Sequence, residues 1–520
     1  RGAREAIRPL TRHLPSGPFH LAPFTGGMAT VERRGRLDEG HAKPVKPAIT
    51  ATFALCLAGC AYPYSPAALG PATQPAPQGA TVTLPIDPPG PTTAPGPLAR
   101  GLPATALSSR TAATARGQTA ATATTATSRE KAPVTILVSI DGFRPDYLDR
   151  GVTPNLSALA AGGVSASMMP SFPSKTFPNH WTLVTGMYPD HHGITANRLE
   201  DPARAGETFT MASDDPFWWS EAEPVWVTAE KAGIRTATMF WPGSTVAWGG
   251  TRAVAWPNEI SGGTRPHDWQ QFNQAVSGDS RVDAVVDWLR RPAATRPRFV
   301  TLYFDTVDTA GHRLGPGATE TTRAVADVDE QVGRLVSELK TLGQPANLVI
   351  VADHGMAATD PARTVALDTV ADPADYRIED MGPFASLYPV AGHEAALDRA
   401  LPGRHPHMEC WRKSEMPARL HYGTNPRIPP YFCLAETGWE IVPLTSDKGR
   451  SGGDHGYDNA APDMRALFIA NGPAFPHGTT LPSFVNVDVA PLLRDLIGLP
   501  ADPGLDGTDA PFRYILKGKR

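Results

Sequence analysis

Four short hydrophobic runs along the chain stop abruptly at polar residues. Val134 to Ile140 reads VTILVSI and is followed at once by Asp141-Gly142. Phe299 to Phe304 reads FVTLYF and leads into Asp305 and Asp308; Asn347 to Ala352 reads NLVIVA and ends in Asp353-His354-Gly355. Ala466 to Ala470, ALFIA, ends at Asn471-Gly472. Runs this short, unbroken and rich in β-branched residues predict strands buried on both faces. Helical periodicity falls between them, over Asn155 to Ala161, Asn179 to Thr185, Arg281 to Arg290, Thr321 to Leu342 and Val487 to Leu496. Strand and helix in alternation predict an α/β fold, a mainly parallel central sheet with helices on both faces. Ligands in such sheets gather beyond the carboxyl ends of the strands, where three of the four runs deliver Asp or His.

The first 130 residues show a different pattern. Ala48 to Leu57 is a short apolar stretch behind Lys43 and Lys46, followed by Ala58, Gly59 and Cys60. It is too short for a membrane-spanning helix of about 20 residues, and it predicts an export signal over 48–60. Leu57-Ala58-Gly59-Cys60 also resembles a bacterial lipoprotein box, which implies a periplasmic protein anchored to the outer membrane through lipidated Cys60. A buried apolar strand with incidental cysteines is the plainer alternative. Residues 1–47 have no place before an ordinary signal and read as a leader of uncertain status or an upstream artefact. Residues 61–132, rich in Pro, Ala and Thr, have few groups large enough to repay ordering and predict a disordered tether. The catalytic domain is expected over 133–520.

Charge narrows the partners. Lys and Arg number 48 against 52 Asp and Glu, a formal net charge of -4 that offers no footprint for duplex nucleic acid. A small phosphorylated substrate stays compatible, because bound metals add positive charge that side chains do not show. No protein partner is expected. Of four cysteines, Cys410 and Cys433 lie in a polar region able to carry one bridge in an oxidising compartment.

The candidate chemistry lies in Asp141, Asp308, His312, Asp353, His354 and His455, with Thr176 beside them. Taken singly, most have bland readings. Asp141 before Gly142 is a turn former, Asp308 and His312 make an ordinary i,i+4 pair, and His455 is a lone histidine in a Gly-rich loop. Together they form a carboxylate and imidazole set suited to zinc, iron or manganese. Six such residues are enough for two ions. A threonine hydroxyl is a weak nucleophile that metal coordination can activate, and Thr176 immediately precedes a predicted helix whose free N–H groups favour an anion.

At Lys175-Thr176-Phe177-Pro178-Asn179-His180, Thr185-Gly186-Met187-Tyr188-Pro189, Phe240-Trp241-Pro242-Gly243, Asp353-His354-Gly355-Met356 and His455-Gly456-Tyr457-Asp458-Asn459 the chain resembles the nucleotide pyrophosphatase/phosphodiesterase family of the alkaline phosphatase superfamily. With the lipoprotein box, it reads as a bacterial member. The resemblance covers roughly Val134 to Leu499 and implies an alkaline-phosphatase-like fold with two zinc ions. It implies that Asp141, Thr176, Asp353 and His354 hold one zinc and that Asp308, His312 and His455 hold the other. Asn197 would donate its amide to a phosphoryl oxygen, and Phe177 and Tyr303 would sandwich a nucleotide base. The family's Glu-Glu-Pro-Asp run is replaced by Asp305-Thr306-Val307-Asp308, which keeps the ligand and alters the loop.

The implied reaction is hydrolysis of nucleotide phosphodiester or pyrophosphate bonds to nucleoside monophosphates through a phosphothreonyl intermediate. A phospholipid or glycerophosphodiester phosphodiesterase using the same site is the alternative within enzymes. A non-catalytic lipoprotein binding phosphorylated ligands would be expected to have lost one of the seven residues, and none is lost. Residues near 361–450 are too long for a loop within one sheet and are expected to form an inserted lobe. Its His405 and His407 have Pro-rich flanks and read as surface histidines.

Overall fold

β1 (Val134–Ile140) is buried at all seven positions. A central strand covered on both faces has no polar side, hence the unbroken hydrophobic run. In a computed structural model that describes residues 131–516, seven more strands complete the sheet. They are β2 (Val164–Met168), β3 (Thr236–Met239), β4 (Asp268–Gln270), β5 (Phe299–Phe304), β6 (Ala346–Val351), β7 (Ala466–Asn471) and β8 (Thr479–Thr480). Their spatial order is β8-β2-β7-β6-β1-β5-β3-β4. Expectations for the leader, the export signal with Cys56 and Cys60, and the tether as far as residue 130 lie outside the described residues.

β1 runs parallel to both β6 and β5, and β3 and β4 continue the parallel run. β7 is antiparallel to both its neighbours, β6 and β2. Asn471 therefore pairs with Leu348 near the start of β6 and lies on the rim opposite Asp141 and Asp353. The beginning of β7, not its end, faces the site.

The helices that bear on the site and its support include α1 (Pro154–Ala161), α2 (Thr176–Thr185), α3 (Gly278–Arg290), α4 (Thr306–Leu314), α5 (Thr319–Thr341) and α6 (Val489–Ile497). α1, α3 and α4 pack on α5, while α2 packs on α6, which touches β1. The two groups flank the sheet, and the α/β architecture is alkaline-phosphatase-like. α2 begins at Thr176, three residues before the periodicity predicts. Pro178 explains the difference: within a first helical turn its missing N–H costs nothing, although in a pattern it reads as a breaker.

Between Tyr376 and Ala435 the chain builds a second, five-stranded antiparallel sheet with its own apolar cluster. A disulfide joins Cys410 to Cys433 at directly paired positions of neighbouring strands. His405 bonds the Leu401 carbonyl, and His407 stacks on Trp439 and meets Glu436. This sheet is tied to the rest by Arg377, bidentate to Glu200, and by Asp190, which accepts from the backbone of Gly423, Thr424 and Asn425.

Candidate active site

The functional side chains come from strand ends and from helices beside them. Asp141 follows β1, Thr176 opens α2, Asp308 and His312 share a face of α4, Asp353 and His354 follow β6, and His455 follows the short strand Gly452–Asp454. Gly142 lets the Asp141 turn close. It adopts φ 67°, and a Cβ there would lie 3.1 Å from the Asp308 Cα.

The structure brings all seven residues together. Thr176 Oγ1 is 3.2 Å from His354 Nε2, which is 2.9 Å from Asp353 Oδ2 and 3.5 Å from Asp141 Oδ1. His312 and His455 approach Asp308 Oδ1 to 3.5 and 3.6 Å, and their Nε2 atoms are 3.0 Å apart. The His354 and His455 rings stack, joining the two groups.

Three backbone carbonyls orient the histidines. His312 Nδ1 lies 2.9 Å from the Gly453 oxygen, His354 Nδ1 2.9 Å from that of Gly355, and His455 Nδ1 2.8 Å from that of Ser174. A carbonyl only accepts, so each Nδ1 carries the hydrogen, and each ring turns its Nε2 toward the site. Ring nitrogens aimed inward and held by partners behind them are what a metal requires of its ligands.

The donor set passes a direct test of fit to metal. Two ring nitrogens facing each other at 3.0 Å need a proton or a cation between them. Asp141 Oδ1, Asp308 Oδ1 and Asp353 Oδ2 are buried with no hydrogen-bond partner, a costly state that a bound cation relieves. Asp141, Asp353 and His354 form one group whose ligand atoms lie within 4.8 Å of one another, Asp308, His354 and His455 a second, and His312, Asp454 and His455 a third.

Electrostatics show the same demand for positive charge. Burial, then Asp353 and Asp308, pushes the Asp141 carboxyl well above its usual range, and burial also raises Asp308. Burial opposes ionisation of Asp353 too, but His354 and His180 outweigh it and hold that carboxyl far below the ordinary value. Burial and the neighbouring His354 push the His455 imidazole well down, keeping it neutral.

Asn197 accepts a 2.9 Å hydrogen bond from the Phe177 backbone N–H through Oδ1, so its amide nitrogen points the other way. Phe177 is half-buried against Phe209 and Trp219. Tyr303 is only 8 % exposed and donates its hydroxyl to Asp141 Oδ2 at 2.7 Å, while Phe272, 48 % exposed, packs edge-on against it at 5.7 Å.

Four residues escape sequence reasoning. Asp454 stands next to His455, a hint on its own, and holds Lys175 at 3.1 Å. Lys175 immediately precedes Thr176. His180, inside the Thr176 motif, reads as a helix core position. Phe272 follows the short strand β4, and nothing in its local sequence distinguishes it.

Metal-assisted attack by an oxygen nucleophile is the chemistry this cluster suits, and the class of protein that cluster and sheet point to is a hydrolase of alkaline-phosphatase-like architecture. The chain belongs to the type I phosphodiesterase / nucleotide pyrophosphatase family, whose pattern matches residues 135–458. It is 38% identical over 388 residues to the bis(5'-adenosyl)-triphosphatase of Xenopus laevis, a match covering 74% of this chain and 82% of that protein. It is 36% identical over 404 residues to mouse ectonucleotide pyrophosphatase/phosphodiesterase family member 1, covering 74% of this chain but only 43% of the relative. Among solved structures it resembles an inactive form of murine ectonucleotide pyrophosphatase/phosphodiesterase 5 in complex with AMP. That match has a TM-score of 0.68 and 33% identity, and covers 74% of this chain and 100% of the other. This kinship supports metal-assisted hydrolase activity on a small nucleotide or phosphodiester substrate.

The same relatives correct two expectations. They are eukaryotic, from frog, rodents, human and cattle to Schizosaccharomyces pombe, so the chain groups with eukaryotic proteins and not with a bacterial branch. The periplasm and an outer-membrane anchor through Cys60 fall with that reading, since both are bacterial. A four-residue word at the end of an apolar run arises easily by chance, and it carries little weight beside several hundred matched positions. Among the described residues no helix is long and apolar enough to cross a membrane.

Proposed function

We propose that the protein hydrolyses nucleotide phosphodiester or pyrophosphate bonds, releasing nucleoside monophosphates, with Thr176 as nucleophile and two zinc ions as cofactors. The observation that carries this is the placement of Thr176 Oγ1, 3.2 Å from His354 Nε2 and flanked by both histidine and aspartate groups. Asp141, Asp353, His354 and Thr176 would hold one ion, and Asp308, His312 and His455 the other. When bound, such ions lower the pKa of a coordinated hydroxyl and offset charge on phosphoryl oxygens.

The chain's own residues do the rest. Thr176 Oγ1, its proton lost to solvent, attacks phosphorus, forming an O–P bond as the bond to the leaving oxygen breaks, which leaves the nucleoside phosphoryl group esterified to the threonine. Water then attacks from the opposite side, releasing the monophosphate and restoring the hydroxyl. Asn197, its amide oxygen held by the Phe177 N–H, keeps its amide nitrogen available for a phosphoryl oxygen. Lys175, beside the nucleophile, is held by Asp454.

For the base, Phe177 supplies one aromatic face. Phe272 is better exposed than Tyr303 for the second, since the Tyr303 hydroxyl is committed to Asp141. The relative solved with AMP supports a nucleotide substrate.

Acid quenching during turnover of a dinucleoside polyphosphate, followed by peptide mass analysis, should locate a nucleoside monophosphate group esterified to Thr176. That group on another residue, or on none under single-turnover conditions, would remove the assignment. A panel of dinucleotide, ATP and lysophospholipid analogues checks the substrate class, and preference for the lipid would overturn the nucleotide reading.

A further inference from the structure

His180 is fully buried and lies outside the set of ligand candidates, yet it touches three elements that build the site. Its Nδ1 is 2.9 Å from the carbonyl oxygen of Thr176 and 3.3 Å from Asp353 Oδ2. Its Nε2 is 2.8 Å from Ser139 Oγ. Ser139 stands two residues before Asp141 on β1, so one imidazole connects the strand carrying Asp141, the first turn of α2 and the carboxylate that follows β6.

The tautomer follows from the partners. A carbonyl and a carboxylate, both acceptors, face Nδ1, so Nδ1 carries the hydrogen and donates it to Thr176 O, with its positive end toward Asp353 Oδ2. Nε2 then has only a lone pair and accepts the Ser139 hydroxyl. Trp241 and Tyr303 wall the ring edge-on at 5.0 and 5.2 Å, and Trp241 Nε1 donates to the His180 carbonyl. The ring has no room to turn.

Asp353 has few partners outside the ligand candidates. Its Oδ1 accepts a 3.2 Å bond from the Gly142 N–H, and its Oδ2 lies 2.9 Å from His354 Nε2 on the site side. The His180 N–H dipole, 3.3 Å away, approaches that oxygen from outside the ligand set, while the same nitrogen fixes the backbone of the residue that bears the nucleophile.

We propose that His180 is a positioning residue that locks Thr176 and Asp353 into one geometry, with Ser139 fixing its tautomer. This rests on the reading of Asp353 as a metal ligand and Thr176 as nucleophile. Partners behind a metal ligand typically change affinity by about 10- to 100-fold when removed. The effect belongs to the Asp141, Asp353 and His354 group and not to the Asp308, His312 and His455 group, which His180 does not touch.

The test is competitive zinc titration of the full chain against a chelator, with thermal unfolding as a check on folding. Wild type should bind two zinc ions. His180→Ala should weaken one of the two steps by about 10- to 100-fold and leave the other within about threefold. His180→Asn places an amide N–H near the position of Nδ1 and should recover most of the affinity. His180→Gln reaches toward Ser139 instead and should not recover it. Ser139→Ala should shift the same step in the same direction, by less.

Equal weakening of both steps in His180→Ala, or none, would overturn the proposal. So would equal affinities for the Asn and Gln variants, the comparison that decides the matter if the alanine variant does not fold. A wild-type chain that binds no zinc would instead sink the two-metal reading, and this inference with it.

Discussion

Thr176 Oγ1 and His354 Nε2 stand 3.2 Å apart although 178 positions separate them in the chain. The hydroxyl belongs to the first turn of α2 and the imidazole to the end of β6, so the contact exists only because helix and strand meet at one rim of the sheet. It puts the nucleophile candidate in the coordination neighbourhood of Asp141 and Asp353, and the first expectation follows from it.

Thr176→Ala should remove turnover of a nucleotide diester, by a factor on the order of 10^3 or more, while zinc content stays close to wild type. Three of the four ligand candidates in its group remain in that variant. Steady-state kinetics beside metal analysis measure both halves. Undiminished turnover would show that another oxygen attacks phosphorus.

Removal of metal should cost stability as well as activity. The buried oxygens of Asp141, Asp308 and Asp353 lose their cation, and a ligand that binds only the folded state stabilises it by mass action. A strong chelator should therefore lower the thermal midpoint and abolish hydrolysis, and added zinc should restore both. A midpoint indifferent to chelator and zinc would contradict the cation demand read from these carboxylates.

Phe272 and Arg281, whose guanidinium lies 5.8 Å from the Phe272 ring, should separate binding from folding. Arg281, 2 % exposed, bonds Asp305 Oδ1 at 2.7 Å and the Tyr303 carbonyl, and Gln274 reaches Asp305 Oδ2. Arg281→Met leaves the Asp305 carboxylate buried and unpaired, a change worth about 3–5 kcal/mol of stability, readable in denaturant unfolding. Phe272→Ala should leave stability nearly unchanged and raise KM for a dinucleotide with little change in kcat. An unaltered KM would exclude Phe272 from the base.

Glu379 should make stability fall as pH rises. It is 6 % exposed and accepts from the Glu200 N–H and Ser386, and burial pushes its carboxyl up to about 8 from an ordinary 4.5. A folded-state value above the unfolded one means that the fold favours the protonated acid. That contribution is complete below about 4.5 and is lost as pH climbs through about 8. Glu379→Gln, which cannot ionise, should flatten the thermal midpoint between those values and exceed wild type above pH 8. A variant with an unchanged pH profile would show that Glu379 is ionised throughout.

Much of the central sheet was legible because buried parallel strands announce themselves. VTILVSI and FVTLYF have no alternation to confuse with an exposed strand, and their ends match the observed elements. The start of α2 was less legible, since Pro178 reads as a breaker in a pattern although it is harmless in a first turn. The direction of β7 was not legible at all. A hydrophobic run has the same composition whichever way it is threaded, and here the reversal carries Asn471 away from the site. Phe272 and His180 were missed for a related reason, because an aromatic or a buried histidine acquires meaning only from what it faces.

By itself the sequence determined the chemistry on offer: carboxylates and imidazoles at strand ends, a threonine before a helix, and motifs dense enough to assign the family. Side-chain type and local spacing are properties of the chain, and they survive without coordinates. Tertiary structure alone decided which ring nitrogens face one another, which carboxylate oxygens lack partners, and that Tyr303 turns its hydroxyl to Asp141 while Phe272 stays open. Those relations join residues tens to hundreds of positions apart. Hydrogen bonding and desolvation act over a few ångströms of space, a distance that sequence separation does not measure.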